Sequence, residues 1–322
     1  MRIGIVLVFV LGTLGTQAQV YNLKAMTAKD VTELDRQKTV VLLPGGILEE
    51  HGPFLPIYSD GYMDERLTAE LADALVEKGY SVLVFPPIPL GNGGANIIGR
   101  KYSFSGTFAV RFKTLRAVFM DLADEIGNQG FRKVFIISTH DAPNCNRALD
   151  EAGDYFQDTY GGFMVNLNGL MALHQAGAVS LTPEQAREEG ISIHAGVNET
   201  SVILFFMPQL VRSGYLNATP QAGSGFSMLV KVAEREGWPG YFGSPRMATA
   251  SRGALRWKGE STAAIDLALH ILNGADPHVM PHYVQITQQD PASLETDTVA
   301  LQHENETEGR QQMWLSKRHM DK

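Results

Sequence analysis

Hydrophobic and polar positions along this chain fall into blocks of two kinds. Residues 39–44 "TVVLLP", 80–91 "YSVLVFPPIPLG", 132–138 "RKVFIIS" and 163–168 "FMVNLN" open on apolar runs of about four to six residues without polar alternation. Between them, 63–79 "MDERLTAELADALVEKG", 114–130 "TLRAVFMDLADEIGNQG" and 146–161 "NRALDEAGDYFQDTYG" repeat apolar residues at helical spacing, each followed by glycine. Upstream, 21–37 "YNLKAMTAKDVTELDRQ" reads as an extended entry and a short helix begun by Thr27 or Asp30. Apolar strands flanked by amphipathic helices are the signature of a parallel sheet buried on both faces. The pattern predicts an α/β fold, a three-layer α/β/α sandwich with a mostly parallel central sheet.

The two ends of the chain depart from this pattern. The first residues, "MRIGIVLVFVLGTLGTQAQV", carry one charge at Arg2, an apolar run from Ile3 to about Leu14, and small residues at Thr16 and Ala18. This reads as a signal peptide over 1–18, cut before Gln19. The run is shorter than the roughly 20 residues that span hydrocarbon, so no stable membrane anchor is expected after cleavage. The main domain is expected over 19–276. From 277 to 322 the chain turns polar, rich in Gln and Glu and weakly periodic, and reads as a C-terminal extension.

Composition narrows the function classes. With 322 residues, 44% hydrophobic and 19% charged, the chain has the makeup of an ordinary globular protein. Cys145 is the sole cysteine, so no intrachain disulfide exists, and an exported chain without one suits a bacterial periplasm. Cleavage at Gln19 removes Arg2 alone of the 27 basic residues, which takes the formal net charge from -8 to -9. That acidity argues against nucleic acid as a partner.

Ligands of an open parallel sheet bind beyond the carboxyl ends of its strands. There the chain places three polar clusters: Glu49, His51 and Asp60 in "PGGILEEHGPFLPIYSD", His140 and Asp141 in "STHDAPNCN", and His194 and Glu199 in "HAGVNETS". In extended backbone a Glu-x-His pair sends both side chains to one face, and a carboxylate can bridge two cations while imidazoles take terminal positions. Glu49, His51, Asp60, His140 and Glu199 therefore form a candidate ligand set for two divalent metal ions per chain, Zn, Mn or Fe. There is no G-x-S-x-G, P-loop, G-x-G-x-x-G or C-x-x-C, and Cys145 at the start of a predicted helix reads as a small buried residue.

The first cluster resembles the P-x-G-S-x-E-Q-H-G-x-H-L-P-x-x-T-D signature of the creatininase family at Pro44, Gly46, Glu49, His51, Gly52, Leu55, Pro56 and Asp60. "FSGT" at 104–107, "HAGVNETS" at 194–201 and "FGSPRMATASRG" at 242–253 extend the likeness, which covers about residues 22–275. The resemblance implies an α/β/α fold, often a hexamer, with two divalent metals on Glu49, His51, a bridging Asp60, His140 and Glu199. The chain departs from the family at Glu50, where glutamine is usual, at Phe54 and Ser105, and at Ala142, where creatininase carries a metal-binding glutamate. The tryptophan-bearing flap of creatininase is absent before His194, so creatinine itself is not the expected substrate.

The resulting expectation is hydrolysis of a non-peptide C–N bond, a cyclic amide or formamide, by hydroxide held between two metals. His194 is expected either to protonate the leaving nitrogen or to support Glu199, and Asp141 to orient a metal-bound water or His140. Partners are a small-molecule substrate and further copies of the chain in a homo-oligomer. Alternatives are a dimetal hydrolase of a lactone or cyclic ketone, and an exported metal-binding protein without turnover.

Overall fold

The computed structural model describes residues 18–174 and 176–320; the expected signal peptide lies outside the described residues except for Ala18. Five strands form the sheet: β1 (Val20–Asn22), β2 (Thr39–Pro44), β3 (Ser81–Val84), β4 (Lys133–Ile137) and β5 (Phe163–Asn166). All pairings are parallel in the order β1-β3-β2-β4-β5. The α-helices are α1 (Ala28–Thr32), α2 (Ser59–Glu77), α3 (Phe112–Asn128), α4 (Pro143–Tyr160), α5 (Pro183–Glu189), α6 (Val197–Phe206), α7 (Phe226–Glu234), α8 (Ala250–Leu272), α9 (Tyr283–Thr287) and α10 (Pro291–Lys317). The three-layer sandwich anticipated from the apolar runs is present.

The sheet is apolar on both faces because every residue of β2 is buried and alternate side chains feed two different cores. Val40 and Leu42 join Phe135, Ile137 and Val165 on one face, against Leu67, Leu71 and Leu75 of α2 and Trp257, Ala264 and Ala268 of α8. Val41 and Leu43 join Val134 and Ile136 on the other, against Leu115, Phe119 and Ala123 of α3 and Ala148, Ala152 and Phe156 of α4. Cys145, buried in this second core, is a packing residue.

Strand order sets the place of the site. From β2 the chain steps to β3 on one side and later to β4 on the other, so β2 and β4 flank the point where the order reverses. Their carboxyl ends, Pro44 and Ile137, lie side by side in register. The loops leaving them diverge around a crevice.

The polar segment after residue 276 is more than a loose tail. Its weak periodicity hides the 27-residue helix α10, polar around most of its circumference and docked through a few residues. Leu301 packs on the α3/α4 core, and Asp297 and Ala300 are buried.

Helix α6, which carries Glu199, sits directly on α8. A methyl group on Gly253 of α8 would come to 1.9 Å from the Ser201 carbonyl oxygen, so only glycine allows this approach. Gly253→Ala is expected to push α6 outward and cost about 1–3 kcal/mol of stability, the usual range for overpacking. Denaturant unfolding of the two proteins checks it.

Candidate metal centre

The loop 45–58 is held at both ends and along its length. Gly45 N–H donates to the Ile137 carbonyl (2.7 Å), Glu49 N–H to Ile57 (2.9 Å) and Phe108 N–H to Leu48 (2.8 Å). The hydroxyl of Thr107 accepts from Glu50 N–H (3.2 Å) and donates to Asn96 Oδ1 (3.0 Å), which gives the "FSGT" stretch a structural task. Gly106 adopts φ 99°, and a Cβ there would come to 3.1 Å from Ile57 and 3.3 Å from Glu50, a conformation and a closeness that glycine supplies.

Helix N-termini bring the next carboxylates. Asp60 lies in the first turn of α2 and Glu199 in the first turn of α6, where the helix dipole favours negative charge. Ala195, at φ 50°, donates its N–H to Glu199 Oε2 at 2.5 Å. From the end of β4, Thr139 N–H is fixed by Asp64 Oδ1 (2.7 Å), and His140 follows.

These segments bring the five expected ligands together. His51 Nε2 is 3.4 Å from Asp60 Oδ1 and 3.7 Å from Glu199 Oε2. His140 Nδ1 is 3.0 Å from Glu49 Oε2 and 3.5 Å from Asp60 Oδ2. Asp60 thus faces one histidine with each oxygen. Glu49, Asp60 and His140 converge tightly, with one donor atom from each lying within 4.8 Å of the others. A second such group joins Glu49 and His51 to His194 rather than to Glu199, whose side chain is 27% exposed.

The histidine tautomers are held from behind. His140 Nε2 is 3.0 Å from both the Asn92 and Gly93 carbonyls, and His51 Nδ1 is 3.1 Å from the Glu49 carbonyl. Carbonyls only accept, so the ring nitrogens facing them donate and His51 Nε2 and His140 Nδ1 are left to face the carboxylates. His140 therefore takes its orientation from backbone carbonyls and not from Asp141, whose side chain is 52% exposed and stands 3.9 Å from His174 Nδ1. His194 Nε2 lies 2.6 Å from the Glu50 carbonyl, its Nδ1 3.6 Å from Glu49 Oε1, and its ring 4.4 Å from that of His51.

A fit test follows from the polar atoms themselves. Glu49 Oε2, His51 Nε2 and Asp60 Oδ2 are buried and have no hydrogen-bond partner. Buried charged groups left so are costly, and divalent cations held among them would offset that cost. The mixed His/carboxylate donor set fits Zn, Mn or Fe. Without metal, the groups answer one another: burial would raise Glu49 and Asp60, but His194 and His140 for the first and His51 and His140 for the second hold both below the carboxylate range. Burial likewise opposes charge on His51, yet Asp60, Glu199 and Glu49 lift it from 6.5 to about 10.

Beside the centre opens a cavity of about 110 Å³ whose polar lining includes Thr139, Asp141, His174, Glu199, Arg256 and Glu260. Burial pushes His174 down to about 4, and its ring stacks on Tyr283 at 3.7 Å. Sequence reasoning named Asp141 and Glu199 of this wall but missed Thr139, His174, Arg256 and Glu260, and it missed two further carboxylates. Asp64, raised by burial and by Asp60, sits one helical turn beyond Asp60, a spacing that could have marked it. Glu189 accepts from Val197 N–H (3.1 Å) and Ser244 N–H (2.6 Å) and so fixes the start of α6; nothing in its local sequence signals that.

The sequence model of the creatinine amidohydrolase family matches residues 24–267. A mycofactocin precursor peptide peptidase of Mycobacterium ulcerans (strain Agy99) is 25% identical over 222 residues, 66% of this chain and 78% of that protein. Its counterpart in Mycolicibacterium smegmatis is 26% identical over 237 residues, 69% of this chain and 81% of that protein. Among solved structures, one described as "Creatininase Mn" aligns with a TM-score of 0.57 at 20% identity, covering 79% of this chain and 99% of that one. A creatinine amidohydrolase (creatininase) crystal structure gives 0.56 at 19% identity over 79% of this chain and 98% of that one. The shared fold, and above all the match across most of the chain including all three polar clusters, place this protein in the creatininase family.

Proposed function

We propose that this chain is an exported, dimetal hydrolase of a C–N bond in a small molecule, a cyclic amide or a formamide. The observation that carries the reading is Asp60, buried, with one oxygen toward His51 and the other toward His140. In this reading Glu49, His51, Asp60, His140 and Glu199 would hold the two ions. When bound, such a pair lowers the pKa of water and polarises a carbonyl, which supplies nucleophile and oxyanion stabilisation together.

The chain's own residues do the rest. The His194 imidazole, with Nε2 occupied by the Glu50 carbonyl, offers Nδ1 toward Glu49 as the place where a proton is held for the departing nitrogen. Glu50, which stands where the family has glutamine, is pushed up by burial to about 7 and adds a second proton-holding group beside His194. Asp141 and Arg256 face the cavity, whose 110 Å³ suits a compact substrate better than an extended chain. The mycobacterial relatives, named as peptidases of a precursor peptide, favour one second reading, hydrolysis of a peptide bond. Assembly as a homo-oligomer and residence in a periplasm belong to the same proposal.

The deciding experiment assays metal-loaded protein against two panels, cyclic amides with formamides and short peptides. Turnover confined to peptides replaces the small-amide reading, and no turnover on either panel, with metal bound, leaves a metal-binding protein. On whichever substrate responds, His194→Gln is expected to lower kcat by roughly 10²- to 10⁴-fold, the range for a lost general acid. Its metal content should stay at the wild-type level; loss of metal would assign His194 to support of the ligands.

Elemental analysis of protein purified without chelator should give about two ions per chain, falling sharply in Asp60→Ala. Equal turnover by that variant and the wild type would end the bridged mechanism.

Metal uptake should also be linked to pH. His51 is protonated in the metal-free protein up to about 10, so its charged form contributes stability that is fully present below 6.5 and lost as pH rises through about 10. Metal must displace that proton, so affinity rises with pH over this window. Thermal unfolding of the metal-free protein from pH 7 to 10 should show a falling midpoint, with a flatter profile for the loaded protein. A metal-free midpoint independent of pH would contradict the pairing of His51 with Asp60.

A further inference from the structure

Glu304, on the outer helix α10, is linked to His140 through Asn92, whose side chain bonds the one and whose backbone carbonyl bonds the other. One carboxylate oxygen, Oε1, accepts from Asn92 Nδ2 at 2.6 Å, and Oε2 accepts from the N–H of Phe112 at 2.7 Å. Asn92 is buried and its side-chain amide also donates to the Val110 carbonyl at 2.8 Å. Its backbone carbonyl, with that of Gly93, receives His140 Nε2 at 3.0 Å. Fixing Asn92 therefore fixes the carbonyl that selects which nitrogen of His140 faces Glu49 and Asp60.

Glu304 has a second task at the same junction. Helix α3 begins with Arg111 as its flanking residue, has no side-chain cap and carries no acidic residue in its first turn. The Phe112 N–H is one of the four donors a helix start leaves unpaired, and a carboxylate there is favoured by the dipole. The Glu304 carboxylate thus caps α3 from 192 positions away while gripping the β3–α3 connection through Asn92. Nearby, Asn144 Nδ2 donates to the Asp297 carbonyl at 3.3 Å, so α10 also touches the start of α4, just beyond His140.

We propose that Glu304 is a positioning residue for the metal centre, acting through Asn92 on His140, and that α10 is thereby part of the site's supporting structure. The family match ends at residue 267, so this support comes from chain outside it. The inference rests on the proposed metal-binding reading. Residues behind a ligating histidine commonly contribute about 10- to 100-fold in metal affinity, and Glu304, one bond further out, falls at the low end.

The test is metal affinity of the full chain, with Zn and Mn each titrated in competition with a chelator, for wild type, Glu304→Ala, Glu304→Gln and Glu308→Ala. Glu308 pairs with Arg111 and Lys113 on the same helix without touching Asn92, so it reports α10 docking alone. Glu304→Ala should weaken binding about tenfold, Glu304→Gln, which keeps one acceptor, should fall between, and Glu308→Ala should match wild type. Hydrogen exchange on the metal-free proteins supplies a readout independent of metal: amides of 92–95 and 112 should lose protection in Glu304→Ala and keep it in Glu308→Ala. Unchanged affinity with intact wild-type metal binding overturns the inference. Equal weakening by Glu304→Ala and Glu308→Ala also overturns it, because helix docking alone then accounts for the effect. A wild type that takes up no metal removes the metal reading itself, a distinct result, and this inference with it.

Discussion

Asp60 governs the architecture of the centre because it is a buried carboxylate that must satisfy two directions at once. One oxygen turns to His51 from the β2–α2 loop and the other to His140 from the β4–α4 loop. Those loops leave neighbouring parallel strands at the reversal of strand order, which is why segments as far apart in sequence as His51 and His140 can meet at a single side chain. Four acidic residues, Glu49, Glu50, Asp60 and Asp64, are buried within this one crevice. The histidines hold Glu49 and Asp60 in their charged forms, while burial and the Asp60 charge push Asp64 strongly up, with Oδ2 unpartnered.

The fold around this point is stiff where the ligands attach. The strand ends are buried on both faces, and Asp64 reaches from α2 to hold the Thr139 amide just before His140. Asp60 and Asp64 thus serve successive turns of one helix, the first facing the ligands and the second fixing the loop that delivers one of them. Stiffness of this kind is what a ligand set requires, since donors displaced by fractions of an ångström lose the geometry a cation needs.

Much of this was legible in the chain. β2 and β4 are continuous apolar runs ending in polar clusters, and in a parallel sheet that pattern admits one reading. The spacing of Glu49 and His51 was equally plain, and of the two residues offered as the start of α1, Thr27 is the cap and Asp30 its partner in a capping box. Position within elements was less so: "HAGVNETS" reads as a polar cluster with no element assigned, whereas α6 begins at Val197 and Glu199 belongs to its first turn. The C-terminal segment was opaque because α10 buries few residues, and a helix held by scattered polar contacts has no apolar stripe to read.

What sequence could not reveal has a common physical form. Two helices that border the site, α3 and α6, start without a side-chain cap of their own. Each is capped instead by a carboxylate from elsewhere in the fold, Glu304 for the Phe112 amide and Glu189 for the Val197 amide. A local cap stabilises one helix; a distant one also fixes the helix against the element that supplies it. Glu189 ties α6 to Ser244 as well, and Gly196 and Gly243 leave room for it, since a Cβ at either would fall 2.4 or 2.5 Å from its carboxylate. The cost of leaving those first-turn amides without local partners is offset by rigidity at the two places where the site needs it: the helix carrying Glu199 and the connection behind His140.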